Sequence, residues 1–251
     1  MLALLQDSEE QVTHIAVAFD NPVRSFRNDL FDDYKSEEGV PEELLEQFDL
    51  AEEATAALGI TVWRMDEFEA DDALATAAAR FGPEVDQVRI MTPDKDLGQC
   101  LSGRHVVQID RMRKTLTDEA GLLERRGIAP GSLADWLALV GDTADGIPGI
   151  PGFGAKSAAA VLARYHRIED IPDAAEDWDL KVRGAQRLAS NLAARREDAL
   201  LYKRLATLRE DVPLAESLAD LEWQGTPRDL FLRWCEEYAA PQFAQRPLRW
   251  T

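Results

Sequence analysis

Four short runs of apolar, largely β-branched residues punctuate the first part of the chain: His14–Phe19, which ends at Asp20, then Ile60–Trp63, Val88–Thr92 and His105–Ile109. Their length and composition predict buried strands. Between them lie stretches with helical character. Pro41–Leu58 opens with Pro, Glu, Glu, which suits a helix N-terminus, and Asp71–Arg80 is rich in alanine. Strands alternating with helices predict an α/β fold, a parallel sheet with helices on its faces. From about Thr117 helical segments dominate, interrupted by a Gly/Pro-rich stretch at Gly141–Gly154. The reading therefore divides the chain into an α/β region at 1–117 and a helical region at 118–251, with a helical hairpin at about 136–166. No internal repeat or low-complexity tract is visible.

Charge is distributed unevenly. The 251 residues carry 28 Lys and Arg against 47 Asp and Glu, a formal charge of −19, and residues 1–72 alone hold 20 acidic and 4 basic side chains. Lys181–Arg209 runs the other way, with eight bases against Glu197 and Asp198. On charge alone that stretch is either a solvated helix face or a surface for phosphates, so whole-chain charge does not choose the partner. No apolar run approaches the ~20 residues that cross a bilayer, and the start lacks the cationic flank of a signal peptide, so no membrane partner is expected. Cys100 and Cys235 cannot build a disulfide framework, which fits a reducing cytoplasm.

In a parallel sheet the ligand crevice lies beyond the carboxyl ends of the strands. Three of the four strand runs place acids there. The first ends at Asp20; the second leads into Asp66-Glu67-Phe68-Glu69-Ala70-Asp71-Asp72; the third gives Thr92-Pro93-Asp94-Lys95-Asp96-Leu97. Glu69 and Asp72 are three apart and share a helix face. Singly, each has a plainer reading as a turn former, an N-cap or a helix-dipole partner. Together they would repel strongly, since like charges ~4 Å apart cost on the order of 4 kcal/mol at an effective dielectric of 20. Divalent cations relieve that repulsion. His14, His105 and His166 are scattered, so an oxygen-only ligand set favours Mg²⁺ or Mn²⁺ over zinc. Carboxylate-held metal pairs commonly hydrolyse phosphodiesters, and the residues point to a metal-dependent phosphoryl hydrolase.

The most informative stretch is Gly141-Asp142-Thr143-Ala144-Asp145-Gly146-Ile147-Pro148-Gly149-Ile150-Pro151-Gly152-Phe153-Gly154-Ala155-Lys156-Ser157. Gly152 and Gly154 let the backbone approach a phosphate closely, and the helix that follows aims its N-terminal amides at the anion. Lys156 adds a countercharge. Such a helix-hairpin-helix pattern grips a nucleic-acid backbone without reading bases. A tight interhelical turn that merely needs glycine is the alternative. Asp142 and Asp145 stand immediately before it.

These motifs, with Ala18-Phe19-Asp20, Ser25-Phe26-Arg27, Tyr34-Lys35 and Asp211-Val212-Pro213-Leu214, resemble the successive motifs of the 5′-nuclease (flap endonuclease) superfamily. The similarity is strongest to bacterial 5′–3′ exonucleases and to the 5′-nuclease domain of DNA polymerase I. It implies a PIN-like α/β core followed by a helix-three-turn-helix module, and an enzyme of replication and repair that cleaves 5′ flaps or 5′ ends of branched duplex DNA. By motif, Asp20, Glu69, Asp71, Asp72, Asp94, Asp96, Asp142 and Asp145 match the family's metal-binding acids. Arg27 and Lys35 match bases that contact the scissile phosphate. Gly149, Gly152, Gly154, Lys156 and Ser157 match the duplex-gripping hairpin, which in the resemblance also holds K⁺. One departure stands out: family members begin with a further strand and metal-binding Asp, whereas this sequence starts at what resembles the end of the following helix. A truncated sequence is expected on that ground, and a catalytically impaired junction- or flap-DNA binder is the alternative to an active nuclease. No polymerase segment is visible, so a polymerase partner is expected on a separate chain.

Overall fold

The computed structural model describes residues 1–21, 23–36 and 40–251. The chain folds as two compact units whose segments interleave along the sequence. One comprises Met1–Arg24, Glu37–Ala73 and Val212–Thr251; the other comprises Ser25–Ser36 and Leu74–Asp211.

In the first unit, α1 (Leu2–Leu5) precedes β1 (Ala16–Asp20). β1 pairs in parallel with β2 (Thr61–Met65), in a register that sets Ala16 opposite Thr61 and Asp20 opposite Met65. After β1 and α2 (Arg27–Leu30), which belongs to the other unit, the chain enters α3 (Glu42–Ala57). Glu42 and Glu43 occupy the first turn of α3, where negative charge complements the helix dipole. The core of this unit joins Ala57, Leu58 and Ile60 to Trp223, Phe231 and Cys235 from the C-terminal segment. Glu52 is buried on α3 and is answered by Arg64 at 2.5 Å and by the Asn21 amide at 3.1 Å.

α4 (Ala70–Phe81) opens on acids and leads into the second unit. There β3 (Val88–Ile90) pairs in parallel with β4 (Val106–Asp110). Both parallel pairs follow from the alternation of strand and helix signals, and they hydrogen-bond as two ladders, one in each unit. β5 (Thr115–Thr117), which the sequence pattern does not show, adds to β4 antiparallel. Asp110 turns the chain back, its Oδ1 accepting from the backbone N–H of Met112 and Arg113 at 3.0 and 2.9 Å.

The rest of this unit is helical: α5 (Glu119–Arg126), α6 (Leu133–Val140), α7 (Ala155–Tyr165), α8 (Ala185–Ala194) and α9 (Arg196–Ala206). The apolar faces of α6 to α9 meet in one core that includes Leu133, Leu137, Leu139, Val161, Leu162, Leu188, Leu192 and Leu205. α10 (Arg228–Glu237) belongs to the first unit. No helix among the described residues is long and apolar enough to cross a membrane.

Candidate metal centre

The acids of the second unit gather after β3. Asp94 caps the 3₁₀ turn Lys95–Cys100, its side chain accepting from the Asp96 N–H at 2.9 Å. That cap directs Asp96 inward, where it is 7% exposed. Asp142 and Asp145 arrive from the segment after α6. Asp142 is held by a two-residue antiparallel bridge: its N–H donates to Ile147 O at 2.8 Å and its carbonyl accepts from Ile147 N–H at 2.7 Å. Its Oδ1 accepts from Ala144 N–H at 3.1 Å. Asp96, Asp142 and Asp145 each place a carboxylate oxygen within 4.8 Å of the others, the one such acid group with metal-ligand spacing among the described residues.

Two lysines answer part of this charge. Lys95 Nζ donates to Asp142 Oδ2 and lies 3.8 Å from Asp96 Oδ1. Lys35 Nζ lies 3.2 Å from Asp145 Oδ1. Asp96 Oδ1 is nevertheless buried with no hydrogen-bond partner. Burial, then the charges of Asp94, Asp145 and Asp142, push the Asp96 pKa up to about 7, with Lys95 pulling it down. Burial opposes the Lys95 charge, but the hydrogen bond to Asp142 and the neighbouring carboxylates outweigh it and raise the ammonium pKa.

The donor set fits a divalent cation. Every candidate ligand is a carboxylate oxygen, the donor that hard ions prefer, and a buried carboxylate oxygen without a partner is costly until a cation answers it.

The first unit holds its own acids. Asp20, at the end of β1, accepts from Ala70 N–H at 2.5 Å and so anchors the start of α4. Asp72 accepts from Glu69 N–H at 3.0 Å, and both are buried, with Asp71 half-buried between them. These contacts are N-terminal caps of a helix whose first turn carries the acids.

The two bases behave differently. Lys35 is tied to Asp145 inside the acid group. Arg27, read from the sequence as a phosphate contact, is 1% exposed: its Nε donates to Leu205 O at 2.7 Å and its Nη2 to Thr207 O at 3.1 Å. A guanidinium committed to the carbonyls that end α9 fastens α2 to the helical core. The sequence reading gives Lys95 no role; the signal available was a cation lodged between two motif acids.

The glycine hairpin follows directly. Gly149 has φ +74°, and a Cβ there would lie 2.6 Å from Gly141 N and Val140 C. Gly152, at φ +91°, and Gly154 are exposed. Gly154 is the N-cap of α7, its N–H donating to Ser157 Oγ at 2.9 Å while that hydroxyl donates to Gly154 O at 3.0 Å. Asn191 on α8 braces the loop by donating to Pro151 O at 2.7 Å. Lys156 is exposed in the first turn of α7, where the backbone N–H groups have no partner within the helix.

Comparison with known proteins identifies two family domains along the chain. Residues 1–127 match the 5′–3′ exonuclease N-terminal resolvase-like domain, and residues 128–229 match the 5′–3′ exonuclease C-terminal SAM fold. DNA polymerase I of Bacillus caldotenax is 34% identical over 245 residues, 95% of this chain but 27% of that protein; the chain thus spans about a quarter of that relative's length. In fold it resembles the phage T5 protein co-crystallised with metal ions, with TM-score 0.63 and 20% identity over 86% of this chain and 81% of that one. It also resembles the phage T5 flap endonuclease in complex with DNA and metal ions, with TM-score 0.60 and 20% identity over 87% and 75%.

Proposed function

The chain belongs to the 5′–3′ exonuclease family, and on that footing we propose that it is a metal-dependent nuclease hydrolysing DNA phosphodiester bonds at 5′ ends or 5′ flaps of branched duplexes. The observation that carries this reading is the Asp96–Asp142–Asp145 group, with its unpartnered buried oxygen, followed within a few residues by the hairpin that leads into α7.

Mg²⁺, with Mn²⁺ as a substitute, would be held by Asp96, Asp142 and Asp145, with Asp94 in reserve beside them; Asp20, Glu69, Asp71 and Asp72 are the candidate ligands of the first unit. Such an ion supplies an activated water and neutralises charge on the phosphate. The remaining work falls to the protein. Asp94 and the Ile147 bridge keep Asp96 and Asp142 from relaxing apart. Lys35, already among the acids, is the base that meets the scissile phosphate and stabilises its developing charge; Arg27 serves by holding α2 in place. Gly149, Gly152 and Gly154 shape the hairpin, while the α7 amides, Lys156 and Ser157 grip the sugar-phosphate strand; a K⁺ ion held by this hairpin would add positive charge toward the phosphate. The phage T5 flap endonuclease crystallised with DNA and metal ions supports the same substrate class.

The test is a cleavage assay with 5′-labelled flap duplex, in Mg²⁺ and in EDTA, beside a single-stranded RNA of equal length. Short 5′ DNA products that require Mg²⁺ support the reading. Salt-sensitive flap binding with no product would make the chain a junction-binding protein instead, and preferential cleavage of the RNA would make it an RNA-directed nuclease.

A further inference from the structure

Lys95 occupies the place that a divalent ion would contest. Its ammonium donates to Asp142 Oδ2 and sits 3.8 Å from Asp96 Oδ1, so one positive charge serves two of the three acids. Two of the three acids are fixed. Asp142 is pinned by Ala144 N–H and by the Ile147 bridge. Asp96 is buried in a turn capped by Asp94, with its Oδ1 directed into the group and unpartnered. Lys95 is the more exposed of the two lysines in the group: its side chain is 39% exposed against 25% for Lys35, and it carries the charge on a flexible four-carbon stem.

A metal ligated by Asp96 and Asp142 needs lone pairs that the ammonium is using or facing, and two cations crowded on the same oxygens repel. We infer that Lys95 is a built-in counter-ion: it offsets part of the acid group's charge while no metal is bound, swings toward solvent when the first divalent ion arrives, and by that exchange sets the ion's affinity. This rests on the reading of Asp96, Asp142 and Asp145 as metal ligands. Its cost is weaker metal binding, and its benefit is a group of carboxylates kept together, and so already arranged, before the metal comes.

The experiment titrates the whole chain, stripped of metal, with Mn²⁺ alone, reading affinity by calorimetry and stability by thermal denaturation. Four proteins are compared: wild type, Lys95→Met, Lys95→Gln and Asp142→Asn. Asp142→Asn tests the metal reading itself and should bind Mn²⁺ at least about tenfold more weakly; binding like wild type would remove that reading whatever Lys95 does. With that loss established, both neutral Lys95 variants should bind Mn²⁺ about tenfold more tightly than wild type. Their melting temperatures should fall below wild type without metal and converge with it at saturating Mn²⁺. Lys95→Gln keeps a stem and a donor, so it answers the question if Lys95→Met does not fold. Affinity unchanged or weakened in the neutral variants overturns the counter-ion assignment and leaves Lys95 a support for the carboxylate geometry.

Discussion

Lys35 is joined to Asp145 twice: its backbone N–H donates to the Asp145 carbonyl at 3.3 Å, and its ammonium lies 3.2 Å from Asp145 Oδ1. The double link fixes where the Lys35 chain starts and leaves the ammonium on a carboxylate that a metal can claim. Gly146 makes the approach possible, because at φ +73° it lies against the Asp33 backbone with no room for a Cβ.

Lys35→Met should therefore lower the turnover of flap DNA by roughly 10²-fold, the scale of losing one charge-stabilising donor, with KM for DNA little changed. Steady-state kinetics at saturating Mg²⁺ check this; a rise in KM at constant kcat would assign Lys35 to ground-state binding.

Gly149→Ala should destabilise the second unit by about 3 kcal/mol or more, because a Cβ at positive φ would overlap Gly141 N and Val140 C. Urea denaturation measures it. An unchanged midpoint would mean that the hairpin can open at no cost.

Lys203 bridges two acids, at 2.9 Å from Asp135 and 2.7 Å from Glu169. Asp135 is 1% exposed, and the same oxygen that faces Lys203, Oδ1, also accepts from Ile168 N–H at 2.8 Å. Burial raises the Asp135 pKa against the pull of that N–H and of Lys203. Lys203→Met strands a buried carboxylate and should cost about 3–5 kcal/mol, whereas Lys203→Met combined with Asp135→Leu should recover much of the loss. Thermal or chemical denaturation of the three proteins checks both statements.

Asp96 gives a pH signature. Its folded pKa of about 7 lies above the ordinary carboxyl value of 3.8, so between those two pH values the folded chain keeps a proton that the unfolded chain has released. Stability without metal therefore falls as pH rises through this window, and the contribution is gone above it. Asp96→Asn should flatten that slope in EDTA and gain on wild type by a few kcal/mol at pH 8. Denaturation curves at pH 5, 6, 7 and 8 show it; parallel curves for the two proteins would contradict it.

Much of this was legible in the sequence, for identifiable reasons. The strand ending at Asp20 is a continuous apolar run, the one preceding Asp94 is an apolar run broken at Arg89, and α3 announces itself with Pro41 and two glutamates. The hairpin is readable because positive φ at Gly149 and Gly152 admits few other residues. What sequence hides is partnership across long separations. Arg27 looks like a surface cation until Leu205 and Thr207, some 180 residues on, present their carbonyls to it. β5 is three residues with two exposed, so it has no alternation to detect, and its pairing depends on the Asp110 turn. Lys95 is a motif residue whose role rests on Asp142, 47 positions away.

The central claim is that Asp96, Asp142 and Asp145 hold divalent ions that cleave DNA. Flap-duplex cleavage in Mg²⁺ by wild type and Asp142→Asn, beside binding of the same DNA in EDTA, tests it most directly. The account predicts Mg²⁺-dependent 5′ products from wild type, loss of nearly all turnover in Asp142→Asn, and equal DNA affinity for both. Equal turnover by the two proteins would contradict it.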